Sequence, residues 1–208
     1  MNFKKNFKKI TALAAVMAMA LSMAACGADN AADNTDTAAE STSAAENAAE
    51  TAEILNFIPP EKGEKIAVMT VKDYGEIKIK LFPEAASKGV ENFIGLADMN
   101  YYDELIFHRV IPHFMDQGGD PQGTGMGGQS MWGGSFDGGI PEGLYHFSGA
   151  IAYANSGSTS TNGSQFYIVN TDEGECVSDV SSYPQNVQDM YKEKGGVPYL
   201  DGGYTVFG

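Results

Sequence analysis

The most distinctive chemical pattern in the sequence is the segment from Phe107 to Asp120, which reads FHRVIPHFMDQGGD. It places a cation, Arg109, inside an otherwise apolar run. Removing a guanidinium from water is costly unless the cation is paired or used, so Arg109 belongs either to a structural ion pair or to a functional site. A guanidinium is always protonated and rigidly planar, and it therefore donates hydrogen bonds without taking part in proton transfer.

Two later segments carry amide and aromatic side chains. Residues 154–157 read ANSG and are followed by TNGSQFYI at residues 161–168, which brings amide and aromatic side chains close together in sequence. Residues 199–208 read YLDGGYTVFG and add apolar surface. With Phe107–Asp120, these segments supply a cation, amides and apolar rings.

Other motifs that carry chemistry are absent or lack their structural context. The segment GTGMGG at residues 123–128 satisfies the pattern GxGxxG, but it follows Asp120-Pro121-Gln122 instead of a hydrophobic strand, which argues against a dinucleotide site. The sequence has no GxxxxGKS/T, HExxH, CxxC or GxSxG motif, and its histidines and carboxylates are scattered. It therefore gives no support for a hydrolase or a metalloenzyme, and it indicates neither a metal nor a cofactor.

Composition excludes some classes of function. The 208 residues include 13 Lys+Arg against 27 Asp+Glu, which gives a formal net charge of −14. Such an acidic chain, with no basic stripe after residue 10, is unsuited to nucleic acid, because phosphate contacts need clustered Lys and Arg. Hydrophobic residues make up 43% of the chain, enough for a sizeable core.

Residues 1–25 are predicted to be a secretory signal peptide. Four lysines before residue 10 precede an apolar run from Ile10 to Ala25, which is short for a transmembrane helix of about 20 residues. The sequence LSMAAC at residues 21–26 resembles the lipobox of bacterial lipoproteins, which implies lipidation of Cys26; an ordinary cleavage site is the alternative. We therefore expect an extracytoplasmic protein that is lipid-anchored to a bacterial membrane.

Residues 26–53, which begin with the lipidated cysteine, are predicted to form a disordered acidic tether. From residue 27 onward the segment has ten alanines and seven acids, but no base and no Val, Ile, Leu, Met or aromatic residue. It cannot bury enough apolar surface to offset its chain entropy. The folded domain is therefore predicted to span residues 54–208, a single-domain length.

Hydrophobic periodicity predicts a mostly β domain with one or two helices. Apolar residues at i, i+3, i+4 and i+7 predict a helix over residues 85–98. Strands are predicted at 65–82 (as a hairpin), 105–115 (interrupted by Pro112), 149–154, 164–170 and from Tyr204 onward. Residues 118–143 and 171–197 are predicted loops, the second with a short helix near 186–193.

Together, the three chemical segments resemble the cyclophilin-type peptidyl-prolyl cis–trans isomerases. The resemblance covers Lys65 to Gly208, and the pattern FHRVIPxFMxQGGD is its most specific part. It implies a cyclophilin-like closed antiparallel β-barrel with two capping helices. Because the family's pattern continues beyond the position of Gly208, the last strand and helix are expected to be missing and the domain to be incomplete at its C-terminus.

The resemblance also assigns roles to individual residues. It gives a catalytic set of Arg109, Gln117 and Phe114, in which the glutamine orients the arginine. It assigns to the proline pocket and the peptide groove Ile111, Met115, Gly125, Ala154, Asn155, Ser156, Gln165, Tyr167, Tyr199, Leu200 and Tyr204. It implies that no cofactor is needed and that a monomer binds proline-containing polypeptides, here newly exported proteins.

The implied reaction suits these residue types. Rotation about a peptide bond has a barrier of about 18–20 kcal/mol, because the nitrogen lone pair is delocalised into the carbonyl group. A guanidinium that donates a hydrogen bond to this nitrogen favours the twisted state, in which the lone pair is localised, while an apolar pocket holds the proline ring. This is preorganised electrostatic catalysis, without a nucleophile or a proton transfer.

Departures from the family pattern leave other interpretations open. Tyr167 stands where the family often has Phe, and Tyr199 stands where members that bind cyclosporin well have Trp. Residues 171–197 are an insertion that either sets partner choice or forms a passive loop. One alternative is therefore a binding module that displays a proline-recognising groove without turnover, and another is a surface scaffold whose acidic tether is the functional part.

Overall fold

Strands in the described part of the chain form two antiparallel sheets. The structure, a computed structural model, describes residues 51–208, so the predicted signal peptide, Cys26 and most of the predicted tether lie outside the described residues. The elements in chain order are β1 (Ile66–Val71), β2 (Gly75–Lys80), α1 (Ser87–Asp98), β3 (Arg109–Ile111), β4 (Phe114–Gly118), β5 (Ile151–Tyr153), β6 (Phe166–Asn170) and α2 (Gln185–Lys194). Single 3-10 turns lie at Thr159–Thr161 and Pro198–Leu200. A mostly β fold with helices, as predicted, is confirmed.

The first two strands form the predicted hairpin. They pair along their whole length, ending with Val71 opposite Gly75. The turn between them uses left-handed backbone at Asp73 (φ 67°) and Gly75 (φ 106°), residue types that tolerate this conformation. Met69 and Ile79 are buried in the main core, so the hairpin contributes one wall of that core.

Helix α1 packs its apolar face into the main core, against the second sheet. Val90, Phe93 and Leu96 are buried along one face, which confirms the predicted helix and its apolar stripe. The Phe93 ring packs edge-on against Phe166 of β6, with centroids 5.6 Å apart, and lies 5.1 Å from the ring of Phe207. The helix therefore holds β6, a central strand of the second sheet, from the core side.

The single strand predicted at residues 105–115 is wrong. The chain instead forms two short antiparallel strands, β3 and β4, joined by a turn at Pro112 and His113. Proline has no N–H to donate to a ladder, and His113 adopts a left-handed backbone with φ 61°. This reversal places Arg109 directly opposite Gln117.

The second sheet has the strand order β3-β4-β6-β5, and its register brings distant residues into one row. Arg109 pairs with Gln117, Gln117 pairs with Tyr167, and Tyr167 pairs with Ala152. Residues directly opposite each other in adjacent strands project from the same face of a sheet. A cation, an amide and an aromatic ring therefore share one face.

The C-terminal segment of the described chain is extended but forms less strand than predicted from Tyr204. Val206 makes a single bridge to Ala152, and the Phe82 N–H donates to the Phe207 carbonyl at 3.0 Å. Among residues 51–208 the strand pairs give a two-stranded and a four-stranded sheet and no sheet closed on itself. The closed barrel therefore stays a prediction.

The insertion at 171–197 contains a helix, as predicted near 186–193. Helix α2 buries Val187 and Tyr191 in a small second core with Phe147 and Val180. The rings of Phe147 and Tyr191 lie 4.3 Å apart.

Within residues 51–208, no helix has the length and apolar character needed to cross a membrane.

Candidate active site

A pocket of about 160 Å³ lies on the face of the second sheet that carries the Arg109–Gln117–Tyr167 row. Its walls combine one guanidinium, amide groups, aromatic rings and aliphatic or thioether side chains. They are formed by Arg109, Phe114, Met115, Gln117, Ala154, Asn155, Tyr167, Leu200 and Tyr204. The structure thus brings together nine of the predicted site residues, which come from β3, β4, β6 and two loops.

Arg109 is solvent-exposed at the edge of this pocket and is not in a buried ion pair. Its guanidinium carbon lies 5.8 Å from the centroid of the Phe114 ring, and its Nη1 lies 3.8 Å from the sulfur of Met115. No carboxylate in residues 51–208 lies within ion-pair distance of this guanidinium. The structural ion pair considered from sequence is therefore wrong, and the cation faces the pocket over apolar atoms.

Gln117 is held by a second amide. Its Nε2 donates to Oε1 of Gln165 at 2.9 Å, and Nε2 of Gln165 donates to the carbonyl oxygens of Gly125 (3.0 Å) and Gly127 (2.7 Å). No side-chain hydrogen bond joins Gln117 to Arg109 in the described part of the chain, although the two residues are opposite each other in the β3–β4 pair. The amide pair therefore links β4 to the glycine-rich loop.

A second, more polar pocket of about 300 Å³ adjoins the first. The two share Gln117, Ala154 and Asn155. The second pocket is also lined by three further predicted residues, Gly125, Ser156 and Gln165. The two cavities adjoin to form a groove whose first part is walled largely by rings and aliphatic side chains and whose second part is more polar, which suits a peptide chain with one apolar ring.

The glycine-rich loop that borders the polar pocket is organised around one buried carboxylate. Asp120 is 1% exposed and accepts backbone hydrogen bonds from Gln122 (2.8 Å), Thr124 (3.0 Å), Gly125 (2.6 Å) and Gly127 (3.2 Å). Burial alone raises the pKa of Asp120, but these backbone donors outweigh burial and lower the pKa to about 2. The carboxylate is therefore ionised in the folded protein at neutral pH.

Two of the predicted residues line neither pocket. Tyr199 is 59% exposed, and its ring stacks on Phe114 with centroids 6.1 Å apart and planes at 25°. Ile111 is partly buried, pairs with Met115 across the hairpin and packs against the core. Tyr199 therefore extends the apolar wall at its rim, whereas Ile111 supports the strand that carries Arg109.

The sequence did not point to His146, which contacts the pocket from behind. The Tyr167 hydroxyl lies 2.9 Å from Nε2 of His146, and the histidine is 1% exposed. Burial raises the pKa of Tyr167 well above its ordinary value, so the hydroxyl keeps its proton. In sequence, His146 lies between Tyr145 and Phe147, where no spacing motif marks it.

One group of described residues has side chains suited to metal ligation, and its contacts are those of an ion pair. His113 Nδ1 lies 2.9 Å from Glu175 Oε2 and 3.4 Å from Asp172 Oδ2. The hydrogen bond to Glu175, and then the charges of both acids, raise the pKa of His113. The contact ties the β3–β4 turn to the start of the insertion and weakens as pH rises through this raised pKa.

The groove defines a class of site: a small pocket walled by aromatic, aliphatic and thioether side chains, an exposed guanidinium at its edge, and no carboxylate among the lining residues of either pocket. Residues 66–208 match the family described as Cyclophilin type peptidyl-prolyl cis-trans isomerase/CLD. The chain belongs to this family of isomerase enzymes, and the family predicted from the sequence is confirmed.

Relatives and a solved structure agree with this assignment. A Staphylococcus aureus (strain USA300) protein named as a peptidyl-prolyl cis-trans isomerase is 47% identical over 152 residues, which cover 71% of this chain and 76% of that protein. A Streptococcus pyogenes protein named as a bifunctional phosphatase/peptidyl-prolyl cis-trans isomerase is 46% identical over 149 residues, 70% of this chain but 31% of its own length. A Cryptosporidium parvum cyclophilin, solved in the presence of the dipeptide Ala-Pro, superposes with a TM-score of 0.54 at 33% identity, covering 69% of this chain and 76% of the other.

Proposed function

We propose that this chain accelerates rotation about Xaa–Pro peptide bonds by stabilising the twisted state with Arg109. The observation that carries the proposal is the pocket in which an exposed guanidinium lies beside Phe114 and Met115. The proline ring enters this pocket and packs against its rings and aliphatic side chains. The chain on the other side of the bond follows the polar end.

The reaction needs little from the protein beyond position and charge. In the twisted state the proline nitrogen regains a lone pair, which accepts a hydrogen bond from a guanidinium that cannot lose its proton. Phe114, Met115 and Leu200 hold the ring while the carbonyl side rotates. No residue has to exchange a proton, which agrees with pocket walls that contain no carboxylate.

The backbone of the groove at Asn155 is fixed by hydrogen bonds of the Asn155 side chain. The side chain of Asn155 donates to the Gly203 carbonyl at 3.0 Å and accepts from the Gly157 N–H at 3.0 Å. Asn155 lies where the two pockets meet. Its backbone is thereby fixed where a bound peptide would cross from the ring pocket to the polar pocket.

Magnetisation exchange by NMR tests the proposed activity. We expect catalytic amounts of the purified chain to produce rapid exchange between the cis and trans signals of an Ala-Pro peptide, whose uncatalysed exchange takes tens of seconds or longer. Excess unlabelled Ala-Pro peptide should suppress this exchange. Saturable binding without faster exchange would contradict the proposal and support the non-catalytic binding module instead, for which the exposed Tyr199 rim is the structural argument.

We further propose that the enzyme acts as a lipid-anchored monomer on newly exported, proline-containing proteins. The support comes from the sequence: the basic start, the apolar run to Ala25, the lipobox-like LSMAAC and the acidic tether of residues 26–53. In a bacterial host, the wild-type chain should incorporate labelled fatty acid and sediment with membranes. Cys26→Ser should abolish both, whereas Cys176→Ser, the matched control, should abolish neither. Labelling that persists in Cys26→Ser would refute the anchor.

A further inference from the structure

A chain of buried hydrogen bonds leads from the proline pocket to the insertion. The Tyr167 hydroxyl lies 2.9 Å from His146 Nε2, and His146 Nδ1 lies 2.6 Å from Asp201 Oδ1. The side chains of His146 and Asp201 are 1% and 11% exposed. The chain of contacts therefore joins a wall of the pocket to groups behind it that bulk water scarcely reaches.

Asp201 determines which way these hydrogen bonds run. Its Oδ1 also accepts from the backbone N–H of His146 at 2.9 Å, and its Oδ2 lies 2.5 Å from the Tyr191 hydroxyl. A carboxylate offers only acceptor sites, so the imidazole nitrogen that faces Asp201, Nδ1, carries a proton. The buried Tyr167 hydroxyl keeps its proton and has no other hydrogen-bond partner among residues 51–208, so it donates to Nε2, which is the acceptor.

Two walls of the pocket depend on this one carboxylate. Tyr167 is held through His146, while Leu200, which lines the same pocket, immediately precedes Asp201 in the chain. We propose that His146 and Asp201 are positioning residues for the isomerase reaction, fixing the Tyr167 ring and the Leu200 wall around the bound proline. The reaction itself is the one given under the proposed function, on which this inference rests.

The insertion takes part in the same arrangement. The Tyr183 hydroxyl lies 2.9 Å from Asp201 Oδ2 and 3.0 Å from the Pro198 carbonyl oxygen, and Tyr191 contacts the same carboxylate oxygen. Both tyrosines belong to residues 171–197. The insertion therefore contacts the carboxylate that holds these two walls of the pocket.

Loss of this support should affect turnover more than binding. A proline ring can still enter a pocket whose wall is loose, but the wall must stay in place while the peptide twists past Arg109. We expect His146→Phe, which keeps an aromatic ring but removes the acceptor for the Tyr167 hydroxyl, to lower kcat about tenfold with KM changed less than about twofold.

A double-mutant cycle separates positioning from general stability. In a Tyr167→Phe background there is no hydroxyl to orient, so His146→Phe should lower kcat less than about twofold there. Tyr145→Phe is the matched control, because the Tyr145 ring packs against Phe147 and Tyr183 while its hydroxyl makes no hydrogen bond within residues 51–208. This variant should leave kcat unchanged. Equal losses of kcat from His146→Phe in both backgrounds would overturn the proposal.

The imidazole tautomer provides a second readout that needs no variant and no turnover. In ¹⁵N NMR of the wild-type chain, His146 should show a protonated Nδ1 and an unprotonated Nε2 at neutral pH. A protonated Nε2 would overturn the proposal even if the enzyme is active. If the wild-type chain binds Ala-Pro peptide but does not catalyse exchange, the proposed function fails, and with it the positioning role in turnover, whereas the predicted tautomer would remain as a property of the pocket.

Discussion

Replacing Arg109 with alanine is expected to lower kcat/KM for Xaa–Pro rotation by about 10²–10³-fold, or about 3–4 kcal/mol of transition-state stabilisation. Arg109 is the only arginine in the chain, and no other cation lines the pocket. The lost interaction exists mainly in the twisted state, so the loss should appear in kcat, with a small change in KM. NMR magnetisation exchange with an Ala-Pro peptide over a range of peptide concentrations gives both constants.

The same variant should leave the fold intact. Arg109 is exposed and has no ion-pair partner in the described part of the chain, so the free energy of unfolding should change by no more than about 0.5 kcal/mol. Arg109→Lys keeps the charge but lacks the planar fork, and it should remain at least about tenfold below wild type. Lys72→Ala, in the exposed turn between β1 and β2, is the matched control and should be fully active. Full activity in Arg109→Ala would remove the proposed mechanism.

Several residues of the site could be predicted from the sequence because they lie close together along the chain. Arg109, Phe114, Met115 and Gln117 all fall within nine positions, and the resemblance supplied their roles. The row that joins Arg109 and Gln117 to Tyr167 depends on strand register, which local periodicity does not determine for strands of three to five residues. The family pattern, and not the alternation of side chains, made that part predictable.

The errors have local physical causes. The sequence predicts Pro112 as an interruption within one strand, because nothing in the sequence marks His113 as a residue with a positive φ. Histidine adopts that conformation here while its ring contacts Glu175, which is 62 residues away. The turn is thus stabilised in part by a tertiary contact that a local pattern cannot show.

His146 and Asp201 were missed for a related reason. Each looks ordinary in its own segment, and their contact spans 55 residues. The insertion, predicted only as a loop with a short helix, adds Tyr183 and Tyr191 to the same carboxylate. Buried polar networks of this kind follow from how segments pack, so their members show no common spacing in the sequence.

The glycine-rich loop at residues 118–143 leads to the second large expected effect. Its glycines predicted a loop, but the structure shows that Asp120 organises the loop's first turn by accepting four backbone N–H groups. In Asp120→Asn, one amide oxygen replaces two carboxylate oxygens, and the new NH₂ group faces a backbone donor. Charge-assisted hydrogen bonds are lost as well, so a buried polar group is left poorly paired.

We expect Asp120→Asn to lower the free energy of unfolding at neutral pH by about 2 kcal/mol, the size implied by a pKa lowered from 3.8 to about 2. Because the folded-state pKa lies below the ordinary value, the stabilisation is fully present above about pH 4 and is lost as pH falls toward the folded-state pKa of about 2. Urea unfolding across this pH range should therefore show the two proteins converging in acid.

The variant should also reduce turnover, because Gly125 and Gly127 hold Gln165 through their carbonyl oxygens and line the polar pocket. Glu142→Gln is the matched control: it makes the same carboxylate-to-amide change at an exposed position and should alter neither stability nor its pH dependence. A constant stability difference between wild type and Asp120→Asn down to about pH 2 would show that the carboxylate's charge does not stabilise the loop. Convergence would show that this loop, and with it the polar end of the groove, depends on one ionised side chain.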